Sequence, residues 1–283
     1  ELFIEEKVPK IKIPYKKPLV VGSGNAEATA KIIFEDTQAI FANESNFEDK
    51  LKRVKDLDGV IIVSASGGKH GPIIAKISKR YKKHLTLITN TDESLTNIYL
   101  DHKHKYDEYV FPKQREPYTY NTSTYLGMIL GKTNENPKRI KNFIEKKINK
   151  IKFPNFKNYK KYYLIIPPRF NGIIRMLNIK FIELFGREIS RDIETIEYIK
   201  HATTIIPSNE LFISFGEKNK IYGKNRLFVP LPKNAGYASM MAIGYYIIGR
   251  IQKAQENYFK DNIVRYTNNM SKIFKQEIKP IVD

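Results

Sequence analysis

Cysteine and tryptophan are both missing from the 283 residues, and histidine occurs five times. Without a thiol there is no disulfide, no thiolate zinc site and no cysteine nucleophile, so chemistry that draws nitrogen from glutamine through a cysteine is excluded. No apolar run approaches the roughly 18 residues that read as a membrane span. The charged start Glu1-Leu2-Phe3-Ile4-Glu5-Glu6-Lys7 does not read as a signal peptide. A soluble, cytoplasmic protein with no membrane partner is expected.

Acidic residues are in short supply too: 30 Asp and Glu stand against 49 Lys and Arg, a formal net charge of +19. Such a charge attracts nucleic acid, polyanionic surfaces and anionic metabolites alike. The lysines are spread along the chain and often stand beside acids, as in Phe143-Ile144-Glu145-Lys146-Lys147-Ile148. No zinc finger, aromatic RNA-binding box or helix-turn-helix is recognisable, so nucleic acid is not expected as the main partner.

What is present is organised around Gly59-Val60-Ile61-Ile62-Val63-Ser64-Ala65-Ser66-Gly67-Gly68-Lys69-His70-Gly71-Pro72, which reads as strand, phosphate-sized loop and helix start. Ser64 and Ser66 offer hydroxyls, Gly67 and Gly68 let the backbone come close to a ligand, and the N–H groups opening the helix favour an anion. Any strand-to-helix turn of an α/β protein also uses Ser and Gly, so this loop alone leaves both readings open. A second such turn, Gly22-Ser23-Gly24-Asn25-Ala26, follows the strand Pro18-Leu19-Val20-Val21. It lacks the third glycine of a dinucleotide fingerprint, which disfavours NAD.

Around these turns, residues 1–17 read as an exposed lead-in, and Ala28, Ile32, Ile33, Ala39 and Ile40 as the apolar face of one helix. A polar helix over 50–55, a helix over 72–82, a strand over 85–91, a short strand over 109–112 and helices over 118–131 and 137–150 follow. Residues 149–161 are basic, aromatic and punctuated by Pro and Asn, a linker pattern. The alternation then restarts with a strand and turn over 162–169, helices over 172–185 and 192–201, strands over 211–215 and 227–230, and a helix over 238–255. A C-terminal helical arm follows Asn257. The fold class is α/β: two three-layer α-β-α halves, residues 1–150 and 151–283, with mainly parallel sheets and ligands at the C-terminal strand ends.

Five segments carry a family likeness: Ser64 to Lys69, Gly22 to Ala26, Glu116 with Thr122-Ser123-Thr124, Lys180-Phe181-Ile182-Glu183, and Tyr198-Ile199-Lys200-His201-Ala202. Together they resemble the sugar isomerase (SIS) domain family in its double-domain form. That form occurs in the isomerase part of glucosamine-6-phosphate synthase and in archaeal phosphoglucose/phosphomannose isomerases. Ser64, Ser66, Gly67, Gly68 and Lys69 resemble its phosphate loop, with Lys69 in place of a threonine. The resemblance implies that Gly22, Ser23, Gly24, Asn25, Glu116 and Thr122 meet the substrate. It also implies a homodimer with composite sites, because the family's counterpart of His201 comes from the adjacent subunit.

Interconverting an aldose and a ketose phosphate needs a base to move a proton between C1 and C2, a group that opens the ring, and a phosphate anchor. Glu183 can be the base. Lys180, one helical turn earlier, can keep that carboxylate ionised or stabilise an enediolate oxygen. His201 titrates near neutrality and suits ring opening. The expected activity is an aldose–ketose isomerase of a hexose or aminohexose 6-phosphate, through a cis-enediol and with no cofactor or metal. An aminosugar-phosphate deaminase and a non-catalytic sugar-phosphate-binding regulator are the alternatives.

Plainer readings stand beside these. A Lys/Glu pair three apart is also an ordinary solvated ion pair, and Glu116 also suits capping the helix near Tyr118. His70 either touches a ligand or is simply exposed. His102 and His104, with lysines at 103 and 105, read as a surface loop rather than a metal site.

Overall fold

Two sets of apolar runs become two parallel sheets. The computed structural model describes residues 1–100, 106–116, 121–202, 209–256, 258–275 and 277–280. Two compact units form, residues 1–114 with 123–138, and residues 115–122 with 139–283. Most of the helix Pro137–Lys146, which the sequence pattern sets before a boundary at 150, groups with the second unit.

In the first unit β1 (Pro18–Val21), β2 (Ile40–Ala42), β3 (Gly59–Val63), β4 (Leu85–Thr89) and β5 (Tyr106–Val110) pair in the order β2-β1-β3-β4-β5, all parallel. Every residue of β1, β3 and β4 is buried, which is why these runs are nearly continuous in apolar side chains. Its helices are α1 (Leu2–Glu5), α2 (Asn25–Ile33), α3 (Phe47–Arg53), α4 (Gly71–Arg80) and α5 (Thr122–Thr133), and α6 (Pro137–Lys146) follows, mostly in the second unit. Leu19, Val21, Val60, Ile62, Leu85 and Leu87 pack with Phe47, Leu51 and Ile74 into one core. Each such side chain contributes roughly 1.5–3 kcal/mol by leaving water.

In this unit three details differ from the sequence reading. Ile40 is not on the α2 helix: the chain turns where Thr37 donates its N–H and hydroxyl to the carbonyl of Phe34, and residues 40–42 become an edge strand beside β1. Strand β5 begins at Tyr106, not 109. Residues 1–17 hold no buried residue, as a lead-in would, but their end is tied to the sheet. The Tyr15 ring covers Gly59, its hydroxyl meets His84 and Thr86, and the N–H groups of Lys16 and Lys17 donate to Asp58. Burial pushes the Tyr15 phenol up to about 12.

In the second unit β6 (Lys161–Ile166), β7 (Ser190–Thr195), β8 (Leu211–Phe215) and β9 (Asn225–Val229) form a parallel sheet in the order β7-β6-β8-β9, the same reversal after the first strand. Its helices are α7 (Ile174–Phe185), α8 (Ile196–Ala202), α9 (Tyr237–Ala254) and α10 (Tyr258–Phe274). The segment 192–201 is not one helix but β7 running into α8. As an edge strand β7 buries only Ile193 and Thr195, so its polar residues mask the two-residue period. Tyr162 packs against Phe181, and Tyr163 stacks on Phe212 with ring centres 5.2 Å apart. Between β8 and β9 the loop 216–224 takes the place of a crossover helix. The Arg226 guanidinium holds it, donating to the carbonyls of Lys220, Ile221, Tyr222 and Gly223.

Candidate functional site

The first sheet's strand order reverses between β1 and β3, and connections leaving neighbouring strands to opposite faces open a crevice at their C-terminal ends. A cavity of about 170 Å³ lies there. Its wall takes Gly22 and Ser23 from the turn after β1, Glu44 from the turn after β2, Ser64, Ala65 and Ser66 after β3, Lys69, His70 and Gly71 at the start of α4, and Tyr125 from α5. A β-carbon on Gly22 would meet the backbone nitrogen of Glu27 at 2.7 Å, so glycine is what lets the α2 turn close over the strand end.

The loop after β3 is held in shape from within. Ser64 Oγ accepts the N–H of Gly67 and Ser66 Oγ that of Gly68, each at 3.2 Å. Each hydroxyl thereby uses a lone pair and keeps its proton to donate to a ligand. Gly67 has φ of 59°, its β-carbon position is taken by the Ser94 side chain, and its carbonyl accepts the Thr96 N–H at 2.9 Å. The Ala65 carbonyl accepts from the Asn90 N–H and from the hydroxyls of Thr89 and Thr91. An anion meeting this loop finds donors already fixed, the condition for binding without a large ordering cost.

The expected phosphate residues therefore divide. Ser64, Ser66 and Lys69 line the cavity, whereas Gly67 and Gly68 shape the loop behind it. Gly22 and Ser23 line it too. Gly24, with φ of 58°, stands at the N-cap of α2, and Asn25 is that helix's first residue. His70, open to two readings from sequence, is at the cavity wall.

The second unit gathers a different cluster. Lys180 on α7 is 3% exposed, with its Nζ 4.7 Å from the centre of the Tyr245 ring on α9. Burial pulls its ammonium down to about 8, against the opposing pull of the Glu183 and Glu116 carboxylates. Asn121 Nδ2 donates to both oxygens of Glu183 at 3.3 Å. Glu116 Oε1 accepts the N–H of Thr122, the first residue of α5, at 3.1 Å. Glu116 thus caps that helix and also contributes charge beside Lys180. His201 lies exposed on α8, and no hydrogen bond or ion pair joins it to Lys180 or Glu183 among the described residues.

Sequence reasoning missed Glu44, Tyr125, Asn121 and Tyr245. Glu44 follows a strand hidden from the pattern, and the two tyrosines fall in segments read only as helices. Asn121 sits inside the Glu116–Thr122 element and was the one with a signal. His102 and His104 lie outside the described residues. Among the described residues no cluster of three or more His, Asp or Glu is arranged to hold a metal, and no helix is long and apolar enough to cross a membrane.

No family model matches the chain, and no curated protein sequence does. Solved structures do match. Tagatose-6-phosphate ketose/aldose isomerase from Escherichia coli aligns with a TM-score of 0.60 at 8% identity, over 84% of this chain and 81% of that one. Glucosamine-6-phosphate deaminase from Thermotoga maritima gives 0.56 at 15% identity, over 84% and 85%. The C-terminal domain of glucosamine-fructose-6-phosphate aminotransferase from Francisella tularensis gives 0.56 at 13% identity, over 84% and 85%. At such identities the shared property is the fold alone.

Proposed function

The chain has a fold of the sugar isomerase (SIS) type, and from it we propose that the protein is a cytoplasmic aldose–ketose isomerase of a hexose or aminohexose 6-phosphate, acting as a homodimer. The observation that carries this reading is the preshaped hydroxyl-and-lysine loop at the β1/β3 reversal. In this reading the loop of the first unit is the phosphate anchor, and the second unit carries the candidate proton-transfer groups Lys180, Glu183 and His201. Ser64 and Ser66 donate hydroxyl protons to the phosphate and Lys69 adds a point charge. Gly22, Ser23, Gly24 and Asn25 approach the sugar, with Glu116 and Thr122 orienting it.

Glu183 takes the C2 proton of the aldose while the C1 carbonyl oxygen gains one, giving the cis-enediol. Returning the proton to C1, with loss of the O2 proton, gives the ketose. Lys180, which binds its proton only to about pH 8, favours the developing oxyanion more than a fully solvated ammonium would. His201 opens the ring of substrate bound by the neighbouring subunit, a role its exposure suits.

One feature favours the aminosugar side and, with it, a deaminase. Glu44 puts a carboxylate in the wall of an otherwise anion-directed cavity, which suits a ligand carrying an ammonium as well as a phosphate. Proton exchange at C2 of glucose 6-phosphate and of glucosamine 6-phosphate, followed by NMR, tests the proposal. Exchange that is lost in Glu183→Gln is expected. Exchange that persists in that variant removes Glu183 as the base, no exchange with either sugar removes the isomerase, and ammonia release with the amino sugar selects the deaminase.

A further inference from the structure

Asn121 carries two local costs at once. Its φ of 31° lies in the left-handed region, where a β-carbon is strained. Its Oδ1 is buried and finds no hydrogen-bond donor among the described residues. The opposite end of the same amide stands 3.3 Å from both Oε1 and Oε2 of Glu183. Turning the amide over would set Oδ1 against the carboxylate, so the carboxylate fixes the orientation that leaves Oδ1 without a partner. A strained backbone and an unsatisfied acceptor in one residue persist where the surroundings hold them in place, and they gather at functional sites.

We propose that Asn121 is the positioning residue of Glu183: its NH₂ spans the two carboxylate oxygens, fixes their rotation and favours the ionised form. The proposal rests on the reading of Glu183 as the base. The charged groups around this carboxylate make an uncharged holder useful. Lys180, on the same helix, supports the anion only while it keeps its proton, and Glu116, from the segment before α5, draws on the same ammonium. Tyr245 reaches Lys180 from α9, and Asp261, Arg265 and Lys272 of α10, which packs on α7, are exposed. An amide donates at every pH, so the carboxylate is held in one orientation whatever the state of its charged neighbours.

Asn121→Gly separates this role from a structural one, because glycine accepts the backbone angle and removes the orphaned oxygen together with the clamp. We expect the variant to melt no lower than the wild type. The Glu183 carboxyl, followed by ¹³C NMR, should titrate about one pH unit higher, a tenfold weaker hold on the anion. kcat for C2 exchange should fall roughly 10- to 100-fold with KM within about twofold, the pattern of an interaction that matters in the transition state. A Glu183 midpoint that does not move overturns the proposal, whatever the rates. If the wild-type protein exchanges no C2 proton, the base reading falls instead, and the carboxyl titration still decides whether Asn121 holds Glu183.

Discussion

The ammonium of Lys180 sits 4.7 Å from the centre of the Tyr245 ring with 3% of the residue exposed, so a cation is held in the interior of the second unit against an aromatic face. The ring's negative face and the Glu183 and Glu116 carboxylates replace part of the hydration that burial removes. The remainder appears as a proton affinity lowered from 10.5 to about 8.

That shift has a sign. Between about pH 8 and 10.5 the unfolded chain binds a proton at this lysine that the folded protein does not. Stability therefore rises with pH across that window. Urea unfolding near both limits should show wild type gaining roughly 3 kcal/mol relative to Lys180→Met over the interval. Equal pH slopes in the two proteins would show that Lys180 titrates normally.

Activity should follow the same group. If the protonated ammonium assists the oxyanion, kcat declines as pH rises through about 8. Tyr245→Leu removes the aromatic face and moves that limb lower by about half a unit to one unit, in line with a cation–π contribution near 1 kcal/mol. A pH–rate profile for each protein checks this, and a limb that stays in place in Tyr245→Leu counts against the ring's role.

In the loop after β3, Ser64→Ala and Ser66→Ala each remove the acceptor of a loop N–H and, with it, the hydroxyl proposed to donate to the phosphate. Each should weaken fructose 6-phosphate binding about tenfold by calorimetry, the loss of one hydrogen bond to a charged group. Lys69→Met should weaken it similarly and also reduce its sensitivity to salt, as loss of a surface point charge requires.

Gly67→Ala forces a β-carbon into the Ser94 side chain at a φ of 59°. A loss of about 2–4 kcal/mol is expected from the clash together with the left-handed strain. Adding Ser94→Gly should restore the clash part and leave about 1–2 kcal/mol of backbone strain. Thermal melts of the single and double variants measure both parts, and additive losses would contradict the packing described.

Glu44→Gln tests the carboxylate in the cavity. Preference for glucosamine 6-phosphate over glucose 6-phosphate should shrink roughly 3- to 10-fold, the scale of a solvent-exposed ion pair of about 1 kcal/mol. An unchanged ratio would place the amino group away from Glu44.

Much of this molecule could be read along the chain. Runs such as Val60-Ile61-Ile62-Val63 are apolar at every position because both faces of a parallel strand are covered, and the Ser/Gly turns after β1 and β3 mark where a sheet of this kind leaves its crevice. Those signals are local, and they set the fold class and the loop. Other features depend on partners distant in sequence. Strand β2 exists because β1 offers an edge, and β7 because β6 does, although the residues of β7 are mostly polar. Asn121 and Glu183 each lie in a segment that carries a signal of its own, but they are 62 residues apart, and nothing along the chain pairs one with the other. The Lys180–Glu183 spacing, which equally describes a solvated pair, became a buried lysine between carboxylates only through the packing of α7 on α9 and the return of residues 115–122 to the second unit. Sequence determined which groups the chain carries and the strands and helices that present them. Tertiary structure decided which of them lost their water, and with it their charge and reactivity, because desolvation is a property of the surroundings rather than of the residue.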